Sequence, residues 1–369
     1  MKNKILLVGP KVNVSNKRAY GGGSGGYTRN MKVYLRYFTF DEFEIIPCFQ
    51  SIRGEINLWI LNGPIRLFYD LYQLIGCLRK FEIKGVHILA QYRGAIVREF
   101  LIVVISNILN KPILYEIKAG SFKTKYNSSK WFYKYFIKYI LSNSKIILVE
   151  GKAYINFLKN KFNKECVYFP NVVPNNEIPS NISEKFKEGL TRVLFVGYAY
   201  EGKGIFELFN ACRELSFRGK KIRLTIVGEL HNDFKSYVED NNSNLIFECK
   251  GKLKHQEVLE QFKLNDVYCY PSKHLGEGHN NTINEALMNQ MVICSTLNGF
   301  LGSFLNEDNS FPLNGACEKE ITLRLNEIIE NKNLAIDKSK KGRELILSKF
   351  NTNAAKLILE IEYTKLLSK

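Results

Sequence analysis

The chain has 369 residues, of which 45% are apolar and 13% aromatic, and no stretch has the composition of a disordered region. This length predicts two domains of about 100–200 residues each. The formal net charge is +17, and residues 1–180 contain 27 Lys and Arg against 11 Asp and Glu, whereas residues 181–369 contain 26 against 25. A basic half indicates contact with a polyanion, either nucleic acid or anionic lipid, or else a lysine-rich solvated surface.

The beginning of the chain and its cysteines argue against several classes of protein. The first residues resemble a buried strand and lack the long apolar core and cleavage site of a secretory signal. The most apolar run, Phe100–Leu109, is well short of the roughly 20 residues that a membrane span needs. The eight cysteines show neither C-x-x-C nor zinc-type spacing, so we expect small buried side chains in a reducing compartment. We therefore expect a cytoplasmic protein, peripheral on the inner face of the cell membrane.

In the first half, short β-type runs alternate with stretches of helical spacing, which predicts a parallel sheet covered on both faces. The predicted strands are Lys4–Gly9, Phe43–Cys48, Val86–Ala90, Ile113–Ile117, Ile146–Val149 and Val167–Phe169. The predicted helices are Tyr27–Phe38, Pro64–Phe81, Ala95–Leu109, Lys130–Leu141 and Ala153–Phe162.

Residues 174–190, rich in Pro and Asn, interrupt this alternation at the place where the charge balance changes. The alternation then resumes and ends in three helical stretches between Glu318 and Leu367. The predicted strands are Val193–Val196, Ile222–Val227, Leu245–Glu248, Val267–Tyr270 and Val292–Cys294. The predicted helices before those three are Ile205–Phe217, His255–Leu264 and Thr282–Met288.

The sequence therefore predicts an α/β protein with two doubly wound Rossmann-like domains that face each other across a cleft. We expect a basic first domain at 1–173, a linker at 174–190, a second domain at 191–350 and a last helix at 351–369 that crosses back to the first domain. In such sheets ligands bind at the carboxyl ends of the strands. The first domain is expected to receive an acceptor and the second a donor.

The strongest local signal is the segment from Pro271 to Leu287, which follows the strand Val267–Tyr270. A Gly- and Asn-rich turn there opens a helix, and a helix N-terminus after a strand favours anion binding. Glu277 precedes the helix and Glu285 lies one turn inside it, where carboxylates can accept hydrogen bonds from sugar hydroxyls. For either glutamate alone, an ordinary helix N-terminus, where the helix dipole favours acidic residues, is the preferred interpretation.

Two further Gly-containing segments follow strands. Leu194–Gly204 contains Gly197, Tyr198 and Lys203 before a helix, and Gly21–Gly26 follows the first strand. Glycines permit close approach of backbone to a ligand. The second segment is not a Walker motif, since no Gly-Lys-Ser/Thr follows it.

Together these segments resemble glycosyltransferase family 4, the retaining GT-B family that includes bacterial surface-polysaccharide enzymes. Glu277 and Glu285, with seven residues between them, resemble its Glu-x7-Glu signature, and Phe195-Val-Gly197 with Lys203-Gly204 resembles its Phe-Val-Gly-Arg…Lys-Gly segment. Pro170-Asn171 and Ile226-Val-Gly228 add further similarity.

The resemblance implies that Glu277 contacts the transferred sugar and Lys203 the donor diphosphate, both as catalytic residues, and that Glu285 binds the donor ribose. The remaining donor contacts that it implies are Gly278, His279, Asn280, Asn281, Thr282, Tyr198, Gly25, Gly26 and Leu253. Tyr198 stands where the family has an arginine, and Lys118-Ala-Gly120 stands where it often has His–Gly. Lys118 is the candidate for stabilising negative charge near the leaving group. No metal or other cofactor is expected.

The helix predicted at Lys130–Leu141 has lysines at 130, 134 and 138, with Trp131 and other aromatic residues between them. This pattern is typical of an interfacial helix, although a core helix with one solvated lysine face would look the same. We expect contact with an anionic membrane through Lys130, Trp131, Lys134 and Lys138.

The predicted function is retaining transfer of a hexosyl-type sugar from a UDP- or GDP-sugar to a lipid-linked glycan or polysaccharide acceptor, with no nucleic-acid partner. The alternatives are another GT-B enzyme such as a nucleotide-sugar epimerase or a phosphorylase, a basic nucleic-acid-binding protein and an inactive binding module. The sugar, base, acceptor, linkage and oligomeric state are not predicted, nor whether Tyr198 weakens donor binding.

Overall fold

The computed structural model describes residues 2–12, 23–50, 62–90, 95–241 and 244–368. The described chain divides into two compact units. The first unit takes the chain up to Asn171 together with the segment from Thr352 onward, and the second unit is Val172–Asn351. The segment at 174–190 that was expected as a linker therefore lies within the second unit, and the expected last helix belongs to the first.

The first unit contains a sheet of six parallel strands in the order β2-β1-β3-β4-β5-β6. Its strands are β1 (Asn3–Pro10), β2 (Phe43–Gln50), β3 (Ile83–Ala90), β4 (Ile113–Ile117), β5 (Ile146–Val149) and β6 (Val167–Tyr168). Its first six helices are α1 (Gly23–Tyr37), α2 (Asn62–Lys80), α3 (Ile96–Ile108), α4 (Phe122–Ser128), α5 (Trp131–Asn143) and α6 (Ala153–Phe162). Pro47 lies in β2, where an edge strand tolerates the missing N–H.

The strand order fixes which helices share a face of this sheet. The chain moves from β1 to one side for β2 and then in the other direction for β3 through β6. Because parallel crossovers are right-handed, α1 lies on one face, and α2, α3, α5 and α6 lie on the other.

The second unit has a six-stranded parallel sheet in the order β12-β11-β10-β7-β8-β9. Its strands are β7 (Thr191–Val196), β8 (Ile222–Val227), β9 (Ile246–Cys249), β10 (Val267–Tyr270), β11 (Val292–Thr296) and β12 (Phe311–Leu313). Its helices are α7 (Ile205–Phe217), α8 (Asn232–Asn241), α9 (His255–Leu264), α10 (Asn281–Met288), α11 (Glu318–Glu330) and α12 (Lys332–Ser348). Two parallel sheets with covering helices confirm the predicted architecture of two doubly wound domains.

The last helix, α13 (Thr352–Leu367), packs on the first unit. The ring of Tyr363 contacts those of Phe40, Phe43 and His87. Tyr34 of α1 also contacts His87, so α13 lies on the same face of the sheet as α1.

Among the described residues, the helices α4 and α8 and the strand β12 were not predicted from the sequence. Helix α8 has a faint signal, because its buried residues Phe234 and Val238 are four apart in an otherwise polar segment. Strand β12 is only three residues long, contains a proline and lies at an edge. Helix α1 also begins earlier than predicted, at Gly23.

The expectation that all cysteines are buried holds for Cys48, Cys212, Cys269 and Cys294. It is wrong for Cys249 and Cys317, which are exposed, and Cys77 and Cys166 are half-buried. Cys249 is the last residue of the edge strand β9, and Cys317 directly precedes α11. Each of them therefore lies at the boundary of an element, beside an apolar run but outside the core.

Candidate active site

The candidate site lies at the carboxyl edge of the second sheet, where the segment after β10 meets the segment after β7. The Glu277 carboxylate is buried between them. Its Oε1 accepts hydrogen bonds from Lys203 Nζ at 2.5 Å, from Ser272 Oγ at 2.5 Å and from Tyr270 Oη at 3.2 Å. Two residues that lie 74 positions apart in sequence are thus in direct contact, as an ion pair.

The lysine of this pair is held by a tyrosine as well as by the glutamate. Lys203 Nζ donates to Tyr270 Oη at 2.6 Å and lies over the Tyr270 ring. Burial raises the pKa of Tyr270 well above its usual value, and the charge of Glu277 raises it further. The phenol therefore stays protonated and acts as donor to Glu277 and acceptor from Lys203.

Two glycines with positive φ permit the close approach of these segments. Gly204 has a φ of +66°, and a Cβ there would lie 2.1 Å from the carbonyl oxygen of Pro271. Gly299 has a φ of +63°, and a Cβ there would lie 2.0 Å from the carbonyl oxygen of Glu277. A side chain at Gly204 would collide with the segment after β10, and one at Gly299 would push the segment after β11 away from Glu277, because both contacts are with backbone.

Helix α10 begins beside Glu277 and supplies the expected N-terminus. Its N-cap is Asn280, whose side-chain oxygen accepts hydrogen bonds from Thr282 N at 2.8 Å and Thr282 Oγ1 at 2.7 Å. Thr282 Oγ1 also lies 2.7 Å from Tyr268 Oη. Gly278, Asn280, Asn281 and Thr282 are half-buried, so the turn is partly open to solvent. A helix N-terminus with this exposure presents backbone N–H groups to an anion.

Glu285 lies in α10 and is 2% exposed, so its carboxylate is more deeply buried than that of Glu277. His255, the first residue of α9, lies between Glu285 and Glu177. Its Nδ1 is 3.8 Å from Glu285 Oε1 and its Nε2 is 3.3 Å from Glu177 Oε2. The sequence argument named only Glu285 of these three, since a lone histidine gives no signal of such contacts.

The segments after β7 and β9 place the two other predicted donor contacts of this unit. Tyr198 is 49% exposed, and its ring lies near those of Tyr200 and His231. Leu253 is half-buried and follows Gly251, whose carbonyl accepts from Gly228 N after β8. Both positions are at the carboxyl edge of the sheet, where a ligand is expected.

His279 belongs to the core of the second unit. It is 1% exposed, its ring stacks on that of Phe304 at a centroid distance of 4.4 Å, and it meets the Phe350 ring edge-on at 4.7 Å. This packing assigns the side chain a structural role, and contact with a donor through His279 stays a prediction.

In the first unit, Gly25 and Gly26 fall in the first turn of α1, and their surroundings lie outside the described residues. The side chain of Lys118, the candidate for stabilising the leaving group, is buried within the first unit. Its Nζ lies 3.2 Å from Glu116 Oε1 and donates to the carbonyls of Phe169 at 2.9 Å and Pro170 at 3.1 Å. Its charge is thus already paired within the unit, and its proposed role stays a prediction that this geometry does not favour.

Glu116 is the centre of a buried polar cluster on β4. Its Oε2 accepts from Tyr34 Oη at 2.6 Å and lies 2.9 Å from His87 Nε2, and His87 Nδ1 lies 2.8 Å from Tyr363 Oη. Burial alone would raise the pKa of Glu116. The Lys118 charge and the hydrogen bonds from His87 and Tyr34 outweigh burial and hold that pKa below 4.5. This cluster connects α1, β3, β4 and α13, and the sequence argument did not find it.

The expected membrane helix is α5, with Lys130 immediately before it. Trp131 is 80% exposed, Lys130 and Lys138 are exposed, and Lys134 is half-buried with its ammonium 5.8 Å from the centre of the Tyr126 ring. Among the described helices, none combines the length and apolar character needed to span a bilayer.

Among the described residues, no group of three or more His, Cys, Asp or Glu side chains is arranged to hold a metal ion.

Comparison with known proteins places this site in a family. The family model for glycosyl transferases group 1 matches residues 179–345. The capsular polysaccharide biosynthesis glycosyltransferase CapM of Staphylococcus aureus is 21% identical over 197 residues, a match that spans 51% of this chain and 50% of that protein.

Two solved structures share the fold over nearly the whole chain. Sucrose-phosphate synthase from Thermosynechococcus elongatus has a TM-score of 0.71 at 14% identity and covers 99% of both chains. HepE from Anabaena, solved in complex with UDP, has a TM-score of 0.69 at 11% identity and covers 98% of this chain and 99% of its own. At these identities the likeness shows the fold alone.

The chain therefore has the GT-B fold, and residues 179–345 match the family model for glycosyl transferases group 1. The prediction of a glycosyltransferase, and so of an enzyme, is confirmed at the level of this family domain and this fold. Lys203, Glu277 and Glu285 all fall within the matched residues.

Proposed function

We propose that the protein is a retaining glycosyltransferase that transfers a hexosyl-type sugar from a UDP- or GDP-sugar to a lipid-linked or polysaccharide acceptor. The observation that carries the proposal is the Lys203–Glu277 ion pair beside the N-terminus of α10. A cation and a helix N-terminus suit a diphosphate, and a carboxylate suits sugar hydroxyls. No metal or other cofactor is part of the proposal.

In the proposed reaction the acceptor oxygen forms a bond to the anomeric carbon as the bond from that carbon to the diphosphate oxygen breaks. The acceptor hydroxyl proton passes to the departing diphosphate, on the same face of the sugar. Lys203 and the backbone N–H groups of the Gly278–Thr282 turn stabilise the negative charge that develops on the diphosphate. Glu277, held by Ser272 and Tyr270, orients the sugar.

The setting we propose is synthesis of a cell-surface polysaccharide at the cytoplasmic face of the membrane. CapM acts in capsular polysaccharide biosynthesis, by its name, and supports an acceptor of this class. The HepE structure with UDP-glucose supports a uridine nucleotide as the first donor to test. The exposed aromatic and basic side chains of α5 support contact with an anionic membrane.

The test is calorimetric titration of the purified protein with UDP, GDP and their sugar conjugates. We expect one of the two nucleotides to bind, and we expect Glu285→Ala to weaken its binding by at least about tenfold, because a buried hydrogen bond to a charged group contributes about 1.5–3 kcal/mol. The matched control is Glu260→Ala, which removes an exposed carboxylate of α9 and should leave affinity unchanged.

Absence of binding by every nucleotide would contradict the proposal and favour an inactive module or a nucleic-acid-binding protein. If Glu285→Ala and Glu260→Ala change nucleotide affinity equally, Glu285 does not bind the ribose, although the donor site itself would not be contradicted. An electrophoretic mobility shift at physiological salt would identify the nucleic-acid alternative.

A further inference from the structure

The first unit has large aromatic side chains in solvent on more than one helix. Phe68 and Tyr72 of α2 are 75% and 77% exposed, nearly as much as Trp131 of α5. Phe132 and Tyr135 of α5 and Val97 of α3 are also exposed. Exposed apolar side chains that stand singly need no explanation, but a contiguous patch marks an interaction surface.

Contacts between helices place the elements that carry these side chains next to one another. Helices α2, α3 and α5 lie on the same face of the first sheet, and α3 packs against both of the others. Arg98 of α3 donates to Asp70 of α2 at 2.8 Å, and the ring of Phe100 in α3 contacts that of Tyr135 in α5. Asp70 lies between Phe68 and Tyr72, so the exposed rings of α2 are level with those of α5.

The position of the surface along the helices is also fixed. In a parallel sheet with crossover helices, each helix starts near the carboxyl end of the strand before it. Phe68 is in the first half of α2 and Tyr72 is one residue past its middle, Val97 is at the start of α3, and Trp131 is the first residue of α5. The aromatic surface therefore borders the carboxyl edge of the first sheet, the edge at which ligands of such sheets bind.

The charge around this surface has one sign. Between Ile117 and Val149 the sequence has seven lysines and no Asp or Glu. In α2, α3, α4 and α5 the acidic residues are Asp70 and Glu99, and both are buried. Asp70 pairs with Arg98, and Glu99 accepts a hydrogen bond from Tyr115. The solvent-facing charges next to the aromatic rings are therefore positive.

We propose that α2, α3 and α5 together form a docking surface for an anionic lipid bilayer, in which the rings of Phe68, Tyr72, Trp131, Phe132 and Tyr135 enter the headgroup region. Lys123, Lys130 and Lys138 contact the anionic headgroups. The inference extends the proposed membrane contact from one helix to three, and it rests on the proposed function only for its purpose, which is access to a lipid-linked acceptor.

A bilayer fits this surface better than a second copy of the chain. A two-fold dimer brings the same patch of both copies together, which would place lysines opposite lysines with no exposed carboxylate of these helices to pair with them. An anionic bilayer supplies the opposite charge and admits aromatic side chains at the same depth.

The test is flotation of the full chain with phosphatidylcholine vesicles, with and without about 30 mol% phosphatidylglycerol. We expect binding to the anionic vesicles at low salt and much less to the neutral ones. The Phe68→Ser/Tyr72→Ser variant should lose about tenfold or more in vesicle affinity, since each buried aromatic ring contributes substantially to transfer from water. The Trp131→Ser/Tyr135→Ser variant should lose a similar amount, and Lys130→Ala/Lys138→Ala at least about fivefold.

The matched control is Leu357→Ser/Ile361→Ser in α13, two side chains that are 63% and 55% exposed on the other face of the same sheet. We expect this variant to bind vesicles as the unchanged chain does. All the substituted side chains except Lys130 and Lys138 are exposed hydrophobics, so an unchanged thermal unfolding curve will show that loss of binding does not come from misfolding.

Three results would overturn the proposal. The first is that Phe68→Ser/Tyr72→Ser binds anionic vesicles as strongly as the unchanged chain does. The second is that the unchanged chain binds neutral and anionic vesicles equally. The third is that light scattering shows a dimer that these substitutions dissociate. UDP and GDP titrations of the same variants separate this inference from the proposed function. If the unchanged chain binds vesicles but no nucleotide, the docking surface is supported and the donor site is contradicted. If it binds a nucleotide but no vesicles, the donor site is supported and the docking surface is contradicted.

Discussion

Each unit holds one buried carboxylate against a lysine and a tyrosine near the carboxyl ends of its strands. In the first unit Glu116 lies with Lys118, Tyr34 and His87, and its side chain is fully buried. In the second unit Glu277 lies with Lys203, Tyr270 and Ser272, and the side chains of Glu277 and Lys203 keep 9% and 19% of their exposure.

The difference lies in what else each group contacts. The lysine of the first unit donates to two main-chain carbonyls, and the histidine continues to Tyr363 of the last helix, so the cluster joins parts of the unit. The pair in the second unit lies beside a half-buried turn that opens a helix. Similar residue types thus serve structure in a closed cluster, and in our proposal they serve ligand binding in an open one.

The largest effect that tests this comparison is expected from Glu116→Gln. Removing one charge of a buried pair leaves Lys118 without its counterion, which typically lowers the free energy of unfolding by about 3–5 kcal/mol. Denaturant unfolding followed by circular dichroism measures this change. Donor titration of the folded variant should be unchanged.

The control is Glu44→Gln, at an exposed position of β2, which should change stability by less than about 0.5 kcal/mol. The double variant Glu116→Gln/Lys118→Met should recover part of the loss, since it removes both charges. If Glu116→Gln unfolds like the unchanged chain, the cluster is not what stabilises the first unit.

We also expect the effect of Glu116→Gln on stability to depend on pH. Because the pKa of Glu116 is lowered on folding, the native state binds fewer protons than the unfolded state as pH falls below about 4.5. The contribution of the cluster is therefore fully present above that pH and is lost as pH falls through the lowered pKa. The difference in unfolding free energy between the unchanged chain and Glu116→Gln should be constant at higher pH and should shrink in acid.

A smaller effect on stability but a large one on activity is expected from Glu277→Gln. The substitution keeps the shape of the side chain and removes the charge that holds Lys203. We expect transfer to fall by about a hundredfold or more, because groups preorganised for a transition state contribute on that scale. The measurement is release of the nucleoside diphosphate from the donor identified by titration, together with an unfolding curve of the same variant.

Loss of stability in Glu277→Gln as large as in Glu116→Gln would show that the second cluster is structural too, which would contradict the comparison. Ser272→Ala is the intermediate variant, since it removes one hydrogen bond and keeps the charge. We expect it to retain more activity than Glu277→Gln.

The two units also differ in how much the sequence could predict. Strands such as β4 and β10 are short apolar runs, and their alternation with helices gave both sheets. The short or polar elements α4, α8 and β12 were missed because they have little or no local pattern and depend on tertiary packing. In the second unit the candidates Glu277, Glu285 and Lys203 could be selected from the sequence, because the segments that contain them follow strands and resemble a family signature.

The supporting residues could not be found in the same way. Tyr270 ends a buried strand and has the pattern of a core residue. Tyr34 and Glu116 are 82 positions apart in sequence, and His87 and Tyr363 are 276 apart, so no local spacing connects them. Lys118 was singled out from a local resemblance, whereas its partners are fixed by the folded sheet.

The smallest effect concerns Tyr198, which stands where the resembled family has an arginine. It is 49% exposed at the carboxyl edge of the second sheet and has no positive charge of its own. If the donor diphosphate binds beside Lys203, Tyr198→Arg should add a charge-assisted hydrogen bond and tighten nucleotide binding by up to about tenfold. Tyr198→Phe keeps the ring and removes the hydroxyl, so its change from the unchanged chain measures what that hydroxyl contributes. Weaker binding by Tyr198→Arg would show that the diphosphate does not lie next to position 198, and the helix N-terminus and Lys203 would remain expected contacts.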